Sequence, residues 1–106
     1  MAKLPDILFL FSDQHSRPVS GAYGDTFGVT PYLDALAQRG VAFDNAYCPS
    51  PICTPSRMSL LTGRWPHEQS CWTLDDMLAS DLPTYAHALG AAGYHAMMAA
   101  ENDMIG

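Results

Sequence analysis

The segment Cys53-Thr54-Pro55-Ser56-Arg57 concentrates the reactive residue types of this sequence. A thiol there has three chemistries open to it: attack as a thiolate, ligation of a metal, or burial as a small hydrophobe, which is the ordinary state of unpaired cysteine. Arg57 lies four residues along the helix expected after Cys53, so both fall on one helical face and the guanidinium can hold an oxyanion. The helix N-terminus adds backbone donors and a dipole that favours an anion. A second cluster is Asp13-Gln14, whose carboxylate and amide offer hard oxygens; the same Asp would also serve as a turn former. His15 follows directly, and His67, His87 and His95 read as surface or core histidines. Cys48, Cys53, His67 and Cys71 follow a Cys-x4-Cys-x13-His-x3-Cys spacing, a zinc set by ligand type, although Pro49 and Pro51 leave no tight knuckle turn in the first pair. The three cysteines are an odd number, so a disulfide framework cannot occupy them all.

The elements around these residues are legible in outline. Ile7-Leu8-Phe9-Leu10-Phe11 is a continuous apolar run of strand length, as in a strand buried on both faces of a parallel sheet. It delivers Ser12-Asp13-Gln14 to its C-terminal end, the edge where open α/β sheets bind ligands. Residues 15–30 read as a loop. Thr30-Pro31 opens a helix with Leu33, Leu36 and Ala37 facing inward, and Gly40 stops it. Val41-Ala42-Phe43 is a short extended segment. The prolines of 48–51 then resist both helix and central strand, Thr54 or Ser56 caps a helix with Met58, Leu60 and Leu61 inward, and Gly63 terminates it. A further helix opens at Leu82-Pro83 and ends at Gly93. Residues 94–100 are the last strand candidate. This order is an α/β pattern, and a parallel sheet of so few strands, covered on both faces, is expected to be the opening portion of a larger domain.

Composition narrows the function classes. With 48% hydrophobic and 15% charged residues over 106 positions the chain is globular and fits at most one domain. A net charge of -6 with five Lys and Arg opposes binding to a phosphate backbone, so no nucleic-acid partner is expected. No apolar run approaches the ~20 residues of a membrane span, and Met1-Ala2-Lys3-Leu4-Pro5 carries no cleavage signal, so no membrane partner and a cytoplasmic location are expected.

Several motifs in order give the chain a resemblance: Ile7 to Gln14; Thr30-Pro31-Tyr32-Leu33-Asp34; Phe43-Asp44-Asn45-Ala46-Tyr47; and Cys53-Thr54-Pro55-Ser56-Arg57 with Leu61-Thr62-Gly63-Arg64. Together these resemble the sulfatase family of the alkaline-phosphatase superfamily, with the Cys-x-Pro-Ser-Arg signature the most specific. The resemblance implies an alkaline-phosphatase-like α/β sandwich with a mostly parallel sheet flanked by helices, of which residues 1–106 form an incomplete N-terminal part. It implies a sulfuric ester hydrolase in which a separate maturation enzyme converts Cys53 to formylglycine. One hydroxyl of the hydrated aldehyde attacks sulfur; the other then loses its proton so that sulfate leaves and the aldehyde returns. Arg57 would hold the hydrate. Asp13 and Gln14 would bind a divalent metal, calcium or alternatively manganese, that Cys53 also touches and that lowers the pKa of the attacking hydroxyl.

The sequence departs from the family where a Gly-Lys-x-His segment is usual: Ala100-Glu101-Asn102-Asp103 puts Glu101 and Asp103 in place of a cation and an imidazole. Carboxylates there repel a sulfate dianion. Trp72-Thr73-Leu74 stands where the family often carries an asparagine. Alternatives therefore stay open: a phosphonate monoester or phosphodiester hydrolase of the same superfamily, a non-catalytic divergent member, or a small zinc module. The later metal ligands and the leaving-group acid of the family lie past residue 106, and the 106-residue chain alone is expected to show no turnover.

Overall fold

The computed structural model describes residues 4–99. Their helices are α1 (Pro31–Arg39), α2 (Cys53–Thr62) and α3 (Tyr85–Ala91), with short 3-10 turns at Arg17–Val19, Gly21–Tyr23 and Pro66–Glu68. The chain divides into two compact units, Ile7–Ala46 and the described part of Met1–Asp6 with Tyr47–Gly106. No helix among the described residues is long and apolar enough to cross a membrane.

In the unit Ile7–Ala46, the apolar run 7–11 was expected as a buried strand. It enters no β-ladder among the described residues and is exposed, Leu8 at 82%. A strand is a partnership, and strand composition alone does not supply the ladder. The Phe9 and Phe11 rings stack 6.0 Å apart, which is how side chains two positions apart meet on an extended chain. α1 begins as its residues dictate: Thr30 is the N-cap residue, Pro31 occupies the first turn, and the Thr30 carbonyl accepts from the Asp34 amide at 2.9 Å. The Thr30 hydroxyl does not cap its own helix. It accepts from the Gly21 amide and donates to Asp34 Oδ1, both at 2.9 Å. This clasp requires glycine at 21, because a Cβ there would lie 2.9 Å from Asp34 Cγ and Oδ1 and closer still to Oδ2.

The region 15–30 is therefore more ordered than its glycines suggest. The Arg17 guanidinium lies 4.7 Å from the centroid of the Tyr23 ring, donates to the Asp44 carbonyl at 2.9 Å and pairs with Asp44 Oδ1 at 3.3 Å. Tyr23 OH donates to the Phe43 carbonyl at 2.8 Å. Leu33 and Leu36, expected inward, remain largely exposed, Leu36 at 54%; with Ala37, Val41 and Tyr23 they line an open cleft whose mouth carries His15 and Arg17. The segment 41–43 forms no ladder among the described residues.

In the other unit, α2 begins two to four residues earlier than a Thr54 or Ser56 cap requires. Ile52 is its N-cap residue, Cys53 its first residue, and the Ile52 carbonyl accepts from the Ser56 amide at 3.1 Å. Thr54, Pro55, Met58 and Ser59 are the buried face. Met58 is fully enclosed with Cys71 against it, Sγ to Sδ 3.4 Å. Leu60, expected inward, faces solvent, since its position lies off the Thr54–Met58 face. Gly63 ends the helix at φ 70 with its amide on the Ser59 carbonyl at 2.8 Å, the left-handed close that glycine makes without strain. α3 starts at Tyr85 and not at Leu82-Pro83, because Thr84 and His87 form a reciprocal capping box that Leu82 has no side chain to make. Residues 94–99 form no strand among the described residues; Ala100, Glu101 and Asp103 lie outside them.

Candidate functional site

Cys53 and Arg57 are brought together as their spacing requires. Both sit on α2, one turn apart and half-buried, on a face adjacent to the packed Thr54–Met58 face. Ile52, at the N-cap position, makes no side-chain cap hydrogen bond. The first amides of any helix lack intrahelical acceptors, so the turn that carries Cys53 presents a field suited to an anion. Pro55 at the third position costs no helical hydrogen bond and fixes its own φ.

Asp13 and Gln14 occupy an exposed turn directly after the apolar run, in the other unit. Gln14 is held at φ 56, in the left-handed region that costs a non-glycine residue about 1–2 kcal/mol. The turn thus fixes a strained backbone where two oxygen donors are adjacent. In donor type the pair fits a hard divalent cation. Calcium takes about six to eight oxygens, so two residues supply part of such a shell. Among the described residues no three His, Cys, Asp or Glu side chains converge as a metal set. His15, next in sequence, lines the cleft together with Arg17.

The four residues of the zinc spacing do not assemble. Cys71 is buried against Met58, whereas Cys48 and His67 are exposed. Burial pushes the Cys71 thiol up, and the Asp76 carboxylate adds to the shift, so Cys71 is a protonated core thiol at neutral pH. Residue type suggests a structural small hydrophobe for both Cys48 and Cys71; Cys71 is one, whereas Cys48 is exposed. Arg64 is exposed just past the end of α2, its amide on Thr62 Oγ1 at 3.2 Å.

Sequence reasoning missed the loop 72–76, where Asp75 and Asp76 read as solvated acids. Asp76 accepts from the Trp72 amide at 2.6 Å, the Thr73 amide at 2.7 Å and the Thr73 hydroxyl at 3.1 Å. The amides of Thr73 and then Trp72 hold its carboxyl below the usual carboxylate range. The buried Thr54 hydroxyl donates to the Leu74 carbonyl at 3.3 Å, fastening the loop to the residue after Cys53. The signal was present as an Asp three residues after a threonine, the spacing of a side chain that gathers local amides.

Comparison with known proteins places these features in a family context. A family model described as Sulfatase matches residues 5–105. The chain is 33% identical over 96 residues to an N-acetylglucosamine-6-O-sulfatase of Bacteroides thetaiotaomicron, covering 91% of this chain and 17% of that protein. It is 38% identical over 105 residues to human arylsulfatase A, covering 93% and 21% respectively. A crystal structure of a Bacteroides thetaiotaomicron protein assigned as a sulfatase superposes with a TM-score of 0.77 at 33% identity, over 84% of this chain and 20% of that one. The chain therefore spans about a fifth of the length of the relatives it matches.

Proposed function

Because the chain belongs to the sulfatase family, we propose that it carries the nucleophile-bearing part of a sulfuric ester hydrolase, with Cys53 as the residue a maturation enzyme oxidises to formylglycine. The observation that carries this reading is the placement of Cys53 as first residue of α2 with Arg57 one turn on. The hydrate of formylglycine would supply two hydroxyls on one carbon, one to attack sulfur and displace the ester's alcohol, and one to lose its proton so that sulfate leaves and the aldehyde returns. Arg57 would orient that hydrate and neutralise the developing charge, and the α2 amides would receive a sulfate oxygen. Asp13 and Gln14 would hold a divalent metal, calcium by donor type, that draws charge from the sulfate oxygens. The described residues carry no sheet, and we assign the mostly parallel sheet of an alkaline-phosphatase-like domain to the complete sulfatase length of which these 106 residues would be a part. Substrates would be small-molecule sulfate esters; an N-acetylglucosamine-6-O-sulfatase and an arylsulfatase among the relatives act at different alcohols, so the organic group is not transferable from either.

Peptide mass spectrometry of the protein from a host with a maturation system tests the reading. The expected Cys53 peptide has exchanged sulfur for an aldehyde oxygen, and the complete enzyme is expected to hydrolyse aryl sulfate in preference to phosphodiester. Undiminished hydrolysis by the complete enzyme with Cys53→Ala would falsify the assignment; a phosphodiester preference would move it to the phosphonate and phosphodiester branch.

A further inference from the structure

Gln14 keeps a backbone that its residue type does not favour, at φ 56 in the left-handed region. Such a conformation persists where the surrounding structure over-determines it. On the C-terminal side that structure begins almost at once, because only His15 and Ser16 separate Gln14 from the 3-10 turn Arg17–Val19. The Val19 amide donates to the Ser16 carbonyl at 3.1 Å and the Ser20 amide to the Arg17 carbonyl at 3.2 Å, and Pro18 fixes its own φ between them. From there the chain is fastened to two other segments of the same unit. One nitrogen of the Arg17 guanidinium donates to the Asp44 carbonyl at 2.9 Å, and the other reaches Asp44 Oδ1 at 3.3 Å. The guanidinium also lies over the Tyr23 ring at 4.7 Å, and the Tyr23 hydroxyl donates to the Phe43 carbonyl at 2.8 Å. Between these two anchors the Gly21 amide donates to Thr30 Oγ1 at 2.9 Å, at the start of α1.

Resting on the reading of Asp13 and Gln14 as ligands of a hard divalent cation, we propose that Arg17 is a positioning residue for that metal turn. Clamped on Asp44 and Tyr23, it anchors the C-terminal side of the turn and holds Gln14 in its left-handed backbone. The ion pair is the smaller part of the clamp: the Arg17 and Asp44 side chains are 57% and 78% exposed, so solvent and salt screen their attraction. The carbonyl bond and the ring contact carry more, and a planar fork makes both where an ammonium point charge does not. The sign of the effect separates this role from simple electrostatics. Removing a positive charge four residues from Asp13 favours a bound cation where charge alone matters. Releasing the turn opposes the cation, because it then binds only the fraction of molecules that hold the competent backbone. The strain at Gln14 corresponds to about a 5- to 30-fold change in that fraction.

Equilibrium dialysis of calcium against the complete protein, well below its unfolding temperature, tests this. Arg17→Ala is expected to weaken calcium binding about 5- to 30-fold. A residue that only stabilised the fold would leave the affinity of the folded molecules unchanged. Arg17→Lys retains the charge but not the two-nitrogen reach and is expected to weaken binding in the same direction; it carries the test where the alanine variant does not fold. Calcium affinity in folded Arg17→Ala that is tighter than wild type, or within about twofold of it, overturns the assignment. Where only Arg17→Lys folds, wild-type affinity in that variant overturns it equally. A wild-type protein that binds no calcium, or whose binding Asp13→Asn leaves unchanged, removes the metal reading of Asp13 and this inference with it. Binding that responds to Asp13→Asn and is indifferent to position 17 removes the inference alone.

Discussion

Met58→Ala isolates the packing that holds α2 in place. Met58 is fully enclosed, its sulfur 3.4 Å from Cys71 Sγ, and it shares a helical face with Thr54, whose hydroxyl holds the loop 72–76. Alanine deletes three heavy atoms beyond Cβ. At about 0.8 kcal/mol for each buried methylene-sized group the transfer loss alone is about 2.4 kcal/mol, and the unfilled cavity brings the total to about 3–5 kcal/mol. Met58→Leu conserves volume and is expected to cost less than about 1.5 kcal/mol. Hydrogen exchange at the α2 amides in the complete protein reads this locally: protection falls by roughly 100-fold or more in the alanine variant. If α2 protection in Met58→Ala stays within about twofold of wild type, or leucine costs as much as alanine, Met58 is not the packing anchor argued here.

The other expectations follow from single contacts. Gly21→Ala displaces the Asp34 carboxylate from Thr30 and costs about 1–3 kcal/mol; in an Asp34→Ala background most of that cost disappears, and additive denaturation midpoints would contradict the clasp. Asp13→Asn is expected to weaken calcium binding by at least ~10-fold in equilibrium dialysis of the complete protein, and unchanged affinity would remove Asp13 from the metal site. The Asp76 carboxyl is held below its ordinary value by the Thr73 and Trp72 amides, so the stability it lends its loop is complete above the unfolded value of about 3.9 and is lost as pH falls through the lower folded value. Trp72 fluorescence in a Trp65→Phe background should hold steady from pH 7 to about 4 and change only below that; a transition centred above pH 4, or one that survives Asp76→Asn, contradicts the lock.

The helices were legible because their signals are local. Thr30-Pro31 and Gly40 bound α1, and Gly63 ends α2, as residue type alone indicates. Where the start of α2 moved, a side chain had a better partner at a distance. Thr54 was an acceptable cap by sequence, but its hydroxyl serves Leu74, twenty residues on, and Ile52 is left at the N-cap position. The run 7–11 and the segment 94–99 show the opposite limit. Their composition is that of strands, but a ladder needs a partner, and composition carries no information about which chain segment supplies it. The Asp13-Gln14 pair was visible as donors; the left-handed backbone at Gln14 was not, since glutamine gives no hint of positive φ.

The start of α2 ties these threads to chemistry. Isoleucine is among the poorest N-cap residues, and a Ser, Thr, Asp or Asn at that position is worth about 0.5–2 kcal/mol to a helix. Of the hydroxyl residues within four positions of Ile52, Ser50 accepts from the Ile52 amide at 3.4 Å, Thr54 holds the loop 72–76, and Ser56 stands inside the helix. Local stability is thus forgone at the one helix terminus that carries a cysteine. Isoleucine offers the first turn no side-chain acceptor, and a helix N-terminus is favourable for an anion. The same economy explains Pro55, which stiffens the first turn without obstructing it. α2 thus sets Cys53 in its first turn, with Pro55 fixing the backbone two residues on.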